Sequence, residues 1–291
     1  MKQPDFTIIT PSFGQLDHLA CCIASVADQE GVEVEHIVQD GGTKGFADFA
    51  KQMAQQWPNR NGYQRIMVSE QDGGMYDAIN RGLKRAKGKV CAYLNCDEQY
   101  LSGALDVVQE FLKNRIDVEV VMGDVIIVGK DGEAVCHRKM VKPGLAHTWT
   151  CHFGALTAGI FFREKLVNEG LLFDTSYRVA SDAEWFVRVL QSGKKVQPLR
   201  KTTSTFMESG ENLGLSSAAK EERARLDASA PPYFRALRSV WVLMHRLRRL
   251  WSGAHRSEDV SYGIYLPKQS GRKAFTAKRL RTTWPGRIFN F

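Results

Sequence analysis

Apolar and polar positions follow two different periods along this chain, and the switches between them mark out its elements. Residues 6–10 (FTIIT) are a β-branched run that enters Pro11 and Ser12, the pattern of a buried strand meeting a loop. From 15 to 29 the period is helical, with Leu16, Leu19, Ile23 and Val26 on one face. Residues 34–40 (VEHIVQD) read as the next strand, stopped by Gly41-Gly42. A helix over 46–57, a strand over 64–68 and a helix over 75–86 lined by Tyr76, Ile79 and Leu83 come next. A strand over 89–95 and a helix over 101–112 follow, and 118–139 reads as strand, turn at Lys130-Asp131-Gly132, strand.

Strands separated by helices of this length predict parallel βαβ units in an α/β fold. Such sheets bind ligands at the carboxyl ends of their strands. Each early strand ends in polar residues: Thr10-Pro11-Ser12, Asp40-Gly41-Gly42, Ser69-Glu70-Gln71-Asp72 and Asn95-Cys96-Asp97-Glu98. Asp77 and Asn80 stand one helical turn apart on one side of their helix. Asp72, Asp77, Asp97 and Glu98 repel one another unless something positive lies between them. A hard divalent cation, Mg²⁺ or Mn²⁺, shared with a phosphate-bearing ligand meets that need. No GxGxxG follows the first strand and no GxxxxGK[ST] occurs, which excludes the dinucleotide fingerprint and the P-loop.

The chain has 291 residues, 43% hydrophobic and 25% charged, enough for one large α/β domain with an appendage. Its net charge of +8 is uneven. From Arg235 onward thirteen lysines and arginines face only Glu258 and Asp259, a net +11, while the first 234 residues carry −3. This predicts an anionic surface as a partner of the tail. Within residues 235–251, Leu237, Val240, Trp241, Met244, Leu247 and Trp251 share one helical face, with Arg238, His245, Arg246 and Arg249 towards the other. That is the pattern of a helix in a membrane interface, where each basic residue contributes about 1 kcal/mol near an anionic leaflet. It is also that of a helix packed on the domain with its arginine face in water. No nucleic-acid motif accompanies the charge, so nucleic acid is not expected. Beyond about 258, Gly263, Pro267, Gly271 and Pro285 predict loose structure.

The six cysteines form no CxxC pair and several lie in apolar runs, which predicts buried, reduced thiols. The N-terminal apolar run is too short for a signal peptide, and no stretch is apolar enough to span a membrane as a helix. The expected location is cytoplasmic, peripheral on the inner membrane face.

Four stretches in order resemble glycosyltransferase family 2, the inverting enzymes of the GT-A fold found in bacterial polysaccharide biosynthesis. They are TIITPSF, HIVQDGGTKGF, SEQDGGMYDAINRGLKRAKGKVCAYLNCDE and FDTSYRVASDAEWFVRVLQSGKKV. The resemblance covers roughly residues 6–199. It implies a Rossmann-like mixed, mainly parallel sheet flanked by helices, in a catalytic domain over 1–217. A basic extension with an amphipathic helix then occupies 218–291. It implies that Thr10, Pro11, Ser12 and Asp40 hold the donor's base and ribose. Asp72, Asp77, Asn80, Asn95 and Cys96 would line the donor pocket, and Asp97 would bind Mn²⁺ or Mg²⁺. Asp182 would be the general base, with Glu184 as second choice. The donor would be a nucleotide-diphosphate sugar and the acceptor a glycan or a lipid-linked molecule.

One departure stands out: the usual DXD reads Asn95-Cys96-Asp97, and Asn95 lacks the first charge, so Glu98 is a candidate to contribute. A degenerate, non-catalytic nucleotide- or glycan-binding member is the alternative. A nucleotidylyltransferase would need a Gly-rich basic loop after the first strand, which TPSFGQLDH lacks. The resemblance also allows His152 to touch acceptor or metal, beside a structural role. His18 and His36 read as structural. Residues 206–217 (FMESGENLGLSS) read as a loop closing over the site or as a linker.

Overall fold

The parallel core expected from the sequence is present in a computed structural model, which describes residues 3–208 and 216–285. The first half alternates strand and helix: β1 (Phe6–Ser12), α1 (Leu16–Ala27), β2 (Val34–Asp40), α2 (Phe46–Gln56), β3 (Tyr63–Ser69), α3 (Met75–Arg85) and β4 (Val90–Tyr93). Then come β5 (Gln99–Tyr100), α4 (Ala104–Lys113), β6 (Val120–Val128), β7 (Ala134–Arg138), α5 (Leu145–Thr150), β8 (Ile160–Arg163) and α6 (Glu164–Asn168). The chain continues with α7 (Ser181–Gln191), β9 (Val196–Met207), α8 (Ser217–Ala228), α9 (Pro232–Ala236) and α10 (Arg238–Trp251). It closes with β10 (Glu258–Tyr265) and β11 (Arg272–Leu280).

The main sheet has the order β3-β2-β1-β4-β8-β6-β9-β5, with β7 paired to β6. It is mixed: β3, β2, β1 and β4 are parallel, whereas β8 runs antiparallel to both β4 and β6. The sequence reading contains no strand at β8, because four residues are too few to reveal a period. Both faces of the central strands are covered, and β1, β2, β4 and β6 are buried along their whole length. Phe6, Ile8 and Ala92 face α1 and α4 through Cys22, Val26, Leu105 and Val108. Ile9, Cys91 and Tyr93 face α3 and α7 through Ile79, Leu83, Trp185 and Phe186. That alternation is the period-two geometry of a strand acting on two cores at once.

Two features of the C-terminal stretch correct the sequence reading. The first is the segment beyond 258, expected to be loose, which forms the antiparallel hairpin β10–β11. Val260, Tyr262, Ile264, Phe275 and Leu280 pack on Ile126 and Val128 of β6. Gly263 lies within β10, while Pro267 and Gly271 occupy the turn between the strands, so residues that punctuate a hairpin had passed for signs of disorder. The second is α10, which packs by its polar face: His245 and Arg249 are buried, whereas Val240, Leu243, Met244, Leu250 and Trp251 are exposed, Trp251 at 79%. The arginine face is divided, with Arg249 buried and Arg238 and Arg246 exposed. Trp241 and Leu247 of the apolar row are partly buried, and the Trp241 indole N–H donates to the Phe234 carbonyl at 3.0 Å.

The hairpin is locked to the N-terminal half by Arg272. Its Nε and Nη2 donate to the two carboxylate oxygens of Asp28 at 2.6 and 2.7 Å, and Nη1 donates to the carbonyls of Tyr100 and Gly263. Tyr265 adds its hydroxyl to the same carboxylate at 2.8 Å. Replacing one partner strands the other in a half-buried site, so Arg272→Met is expected to cost roughly 2 kcal/mol. Urea unfolding of wild type and variant measures it, and an unchanged midpoint would refute the locking role.

Candidate active site

The carboxyl ends of β1, β2 and β3 finish level, with Ser12 paired to Asp40 and Asp40 to Ser69. Asp40 is fully buried and its carboxylate is committed to the protein. Oδ2 accepts from the N–H groups of Gly42 (3.0 Å) and Thr43 (2.7 Å) and from the Ser69 hydroxyl (2.7 Å), and Oδ1 accepts from the Thr43 hydroxyl (2.5 Å). Thr10 is committed too. Its hydroxyl lies 2.9 Å from His36 Nε2, and His36 Nδ1 lies 3.1 Å from the Tyr63 hydroxyl. Burial, helped by the charge of Arg65, holds His36 down at about 3, so it stays neutral within the core. Pro11 is buried beside it.

What these residues leave open is the rim. Ser12 is buried, yet its hydroxyl has no hydrogen-bond partner among the described residues. Asn95, at the end of the neighbouring β4, has a side-chain oxygen in the same condition. Cys96 is buried, with its thiol 3.6 Å from Gln15 Oε1. Asp97 is half-buried, and burial raises its carboxyl above the usual range while His18 pulls it back. Glu98 turns fully inward: one oxygen accepts the Asn95 N–H at 2.8 Å and burial lifts its carboxyl to about 8. Protonated at neutral pH, Glu98 is poorly suited to replace a missing first aspartate. Ser12 and Asn95 carry side-chain oxygens without partners among the described residues, and Asp97 adds a partly buried carboxylate two residues beyond Asn95, oxygen ligands of the type a hard divalent cation takes.

The four clustered carboxylates do not converge. Among the described residues the sole group of three close metal-ligating side chains is His147, His152 and His245. Asp77 instead pairs with Arg81 of its own helix at 2.8 Å, and Glu70 lies 3.3 Å from both Arg81 and Arg85. The positive partners that this segment needed are thus largely its own arginines. Asp72 accepts from the Gly74 N–H at 2.8 Å, and its other oxygen lies 3.0 Å from where a Cβ on Gly41 would stand. Asn80 points elsewhere: its amide donates to the Phe173 carbonyl (2.8 Å) and accepts from the Phe173 N–H (3.0 Å). It clamps the segment before α7.

That segment carries Asp182 in the first turn of α7. Burial raises its carboxyl to about 6, against the Ala183 N–H at 2.8 Å, the Tyr76 hydroxyl and the charge of Arg223. It lines a small pocket with Tyr93, Thr157, Phe162, Phe173 and Trp185. Tyr76 donates to the Val179 carbonyl at 2.9 Å and stacks on Phe173, which ties α3 to the approach of α7. Glu184, two residues on, is bound by Arg188 through contacts of 2.6 and 2.8 Å.

Three residues of this region escape the sequence reading. Phe13 at the end of β1 is 71% exposed beside Gly41 and Asp72. Glu222 of α8 accepts the N–H groups of Arg178, Val179 and Ala180 at 2.6, 2.9 and 2.8 Å, holding the turn that launches α7. Arg223 donates from the same helix to the Thr148 and Trp149 carbonyls. Both α8 residues lie beyond position 217. An exposed aromatic after a buried strand was a usable signal for Phe13; nothing local marks Glu222. The segment 206–217 falls mostly outside the described residues, so the expected loop is not described.

The match to a family model settles the kinship: residues 7–168 fit the description Glycosyl transferase family 2. The chain belongs to glycosyl transferase family 2. It is thus a glycosyltransferase, with the mixed α/β fold of that group. A PGL/p-HBAD biosynthesis glycosyltransferase of Mycobacterium tuberculosis is 28% identical over 263 residues, covering 87% of this chain and 95% of the relative. A putative teichuronic acid biosynthesis glycosyltransferase of Bacillus subtilis is 27% identical over 113 residues, covering 39% of this chain and 44% of the relative. S. aureus TarS 1–349, solved with UDP-GlcNAc, superposes with a TM-score of 0.61 at 16% identity, over 85% of this chain and 73% of that one. The mannosyltransferase PcManGT from Pyrobaculum calidifontis, solved with GDP-Man and Mn²⁺, gives 0.54 at 17% identity, over 86% and 70%.

Losing the Glu222 carboxylate would leave three N–H groups unpaired ahead of α7. In Glu222→Ala the amides of Arg178, Val179 and Ala180 are expected to exchange about tenfold or more faster, while those of β1 are unchanged. Hydrogen exchange read by mass spectrometry tests this; equal protection in the variant would sink it.

Proposed function

We propose that this glycosyltransferase is inverting and metal-dependent, moving a sugar from a nucleotide-diphosphate sugar to an acceptor hydroxyl in surface or exopolysaccharide assembly. The observation that carries the base assignment is the contrast within α7. Glu184 is engaged by Arg188, whereas Asp182 sits in a largely apolar pocket with its carboxyl raised to about 6. A carboxylate with that affinity is ionised at neutral pH and takes up a proton readily. Asp182 accepts the proton from the acceptor hydroxyl as its oxygen attacks the anomeric carbon. The bond from that carbon to the nucleoside diphosphate breaks on the opposite face, and the bonding pair leaves with the diphosphate.

Asp97 would hold the cation, with the Asn95 side-chain oxygen and the Ser12 hydroxyl beside it. When bound, Mn²⁺ or Mg²⁺ neutralises charge on the departing diphosphate. Phe13 offers its ring to the nucleobase by stacking, and Asp72 faces the ribose side of the same rim. The fully bonded Asp40 and Thr10 act by fixing the crevice floor. Solved neighbours that hold UDP-GlcNAc or GDP-Man support the donor class, and relatives named for PGL/p-HBAD and teichuronic acid biosynthesis support a glycan or lipid-linked acceptor. The outward apolar row of α10, flanked by exposed Arg235 and Arg246, supports attachment to the anionic inner face of a membrane. No helix of the described residues is long and apolar enough to cross a membrane. The second reading, a binding member without catalysis, is favoured by Asn95 alone.

Two measurements decide. In a thermal-shift panel, one of UDP, GDP, dTDP or CMP should stabilise the protein with Mn²⁺ or Mg²⁺, by roughly 2.7 kcal/mol at a hundred times Kd. EDTA or Asp97→Ala should abolish that shift, and stabilisation by every nucleotide regardless of metal would remove the metal site. For catalysis, kcat/KM should fall as pH drops through about 6, where Asp182 becomes protonated. Asp182→Asn should lose about 10²–10⁴-fold while keeping donor affinity. Full donor binding with no turnover in the wild type would instead establish the binding-only reading.

A further inference from the structure

Another cavity lies between α5 and α10. His147 and Arg249 line it, together with His245, Lys139, Met140 and Phe153. Arg249 is 2% exposed, and its Nε and Nη2 have no hydrogen-bond partner among the described residues. His147 is also buried, and its Nε2 has no partner there either. The Asp124 charge acts on this guanidinium, yet two of its N–H-bearing nitrogens stay without an acceptor, which is costly in a buried site and leaves them free to bind something that accepts N–H groups.

Two classes of ligand compete. The nitrogens of His147, His152 and His245 lie within 4.8 Å of one another, a spacing that invites a borderline metal such as Zn²⁺. The surrounding charge points the other way. Burial comes first in holding His147 down at about 2, and the neighbouring imidazoles, Arg223 and Arg248 add to it. Burial likewise holds His152 down at about 3, with His245, Arg138, Arg223 and Arg249 adding. The Arg248 guanidinium lies so close to Gly144 that a Cβ there would collide with it. The acids nearby are engaged: Asp124 accepts the Met140 N–H at 2.6 Å, and Glu258 holds Lys139 at 2.9 Å. A dication entering here would meet several guanidinium charges, whereas an oxyanion would meet donors.

We infer that this cavity binds an oxyanion of the phosphate type, held by the Arg249 N–H groups and by His147. Resting on the transferase reading, the phosphate of a phosphorylated acceptor is its occupant; the site itself stands without that reading.

The test uses the full chain in EDTA, which removes metal-assisted binding at the strand ends. Inorganic phosphate and hexyl phosphate are titrated into wild type, Arg249→Met and Asp97→Ala, with thermal shift and ³¹P line width as readouts. Phosphate should stabilise wild type and Asp97→Ala alike, and Arg249→Met should weaken its affinity by about tenfold or more. A cooperative thermal unfolding transition shows that Arg249→Met is folded, and whichever of UDP, GDP, dTDP or CMP stabilises the wild type with Mn²⁺ should, added separately, still stabilise Arg249→Met, which separates this site from the donor crevice. Where Arg249→Met does not fold, Arg249→Lys keeps the charge without the fork and should give an intermediate affinity. Hexyl phosphate binding about tenfold tighter than phosphate would assign the site to an organic phosphate, and equal affinities to the free ion. Three results overturn the inference: no phosphate response in the wild type, a response lost in Asp97→Ala but kept in Arg249→Met, or stabilisation by Zn²⁺ with none by phosphate.

Discussion

The crevice depends on one buried carboxylate. Asp40 gathers two backbone N–H groups and two hydroxyls onto its oxygens, and those donors come from the turn after β2 and from the end of β3. A carboxylate away from water is tolerable only when so fully bonded. Its reward is geometric, because three parallel strands end at one level and their following loops face one space. Gly41 adds to this by bearing no Cβ, so that Asp72 can lie against the β2 turn. Asp40 thus acts on the strand ends through the shape it imposes.

The first hundred residues are legible because each element there announces itself locally. Ile79 and Leu83 repeat at helical spacing, and Phe6, Ile8 and Ile9 crowd into a strand too apolar to face water. The polar ends read for β1, β2 and β3 likewise stand together, finishing level in the sheet. Individual side chains are less legible. Asn80 and Asp77 share a helix face, yet one clamps Phe173 and the other pairs with Arg81; sequence spacing fixes a direction and not a partner. Glu222 sits in a helix without apolar periodicity, and its partners lie more than forty positions away. The orientation of α10 was illegible for a different reason. Amphipathicity identifies two faces without saying which one turns inward, and here His245 and Arg249 are the buried ones.

Asp182 shows how the parts combine. Its carboxyl is raised because aromatic groups from β4, β8 and α7 exclude water around it, while Ala183 and Arg223 keep the ionised form within reach. The position of that carboxyl depends on Tyr76 and Asn80 from one side and Glu222 from the other. The N-terminal layer and the helix after residue 216 thus converge on the same short turn, although the family match ends at residue 168. Asp182 therefore stands where the regular N-terminal half of the fold meets the segment that follows it.

The pairing of Arg272 with Asp28 spans 244 positions of sequence. During synthesis, therefore, the edge formed by α1 and β5 waits for nearly the whole chain before its last partner emerges. Until then Ile126 and Val128, which the hairpin covers, remain open to solvent on the nascent chain. Contacts of such long range slow the final step of folding and lengthen the interval in which an apolar strand is exposed. The hairpin thus acts as a timing device: the molecule finishes folding only after its C-terminal strands have been made.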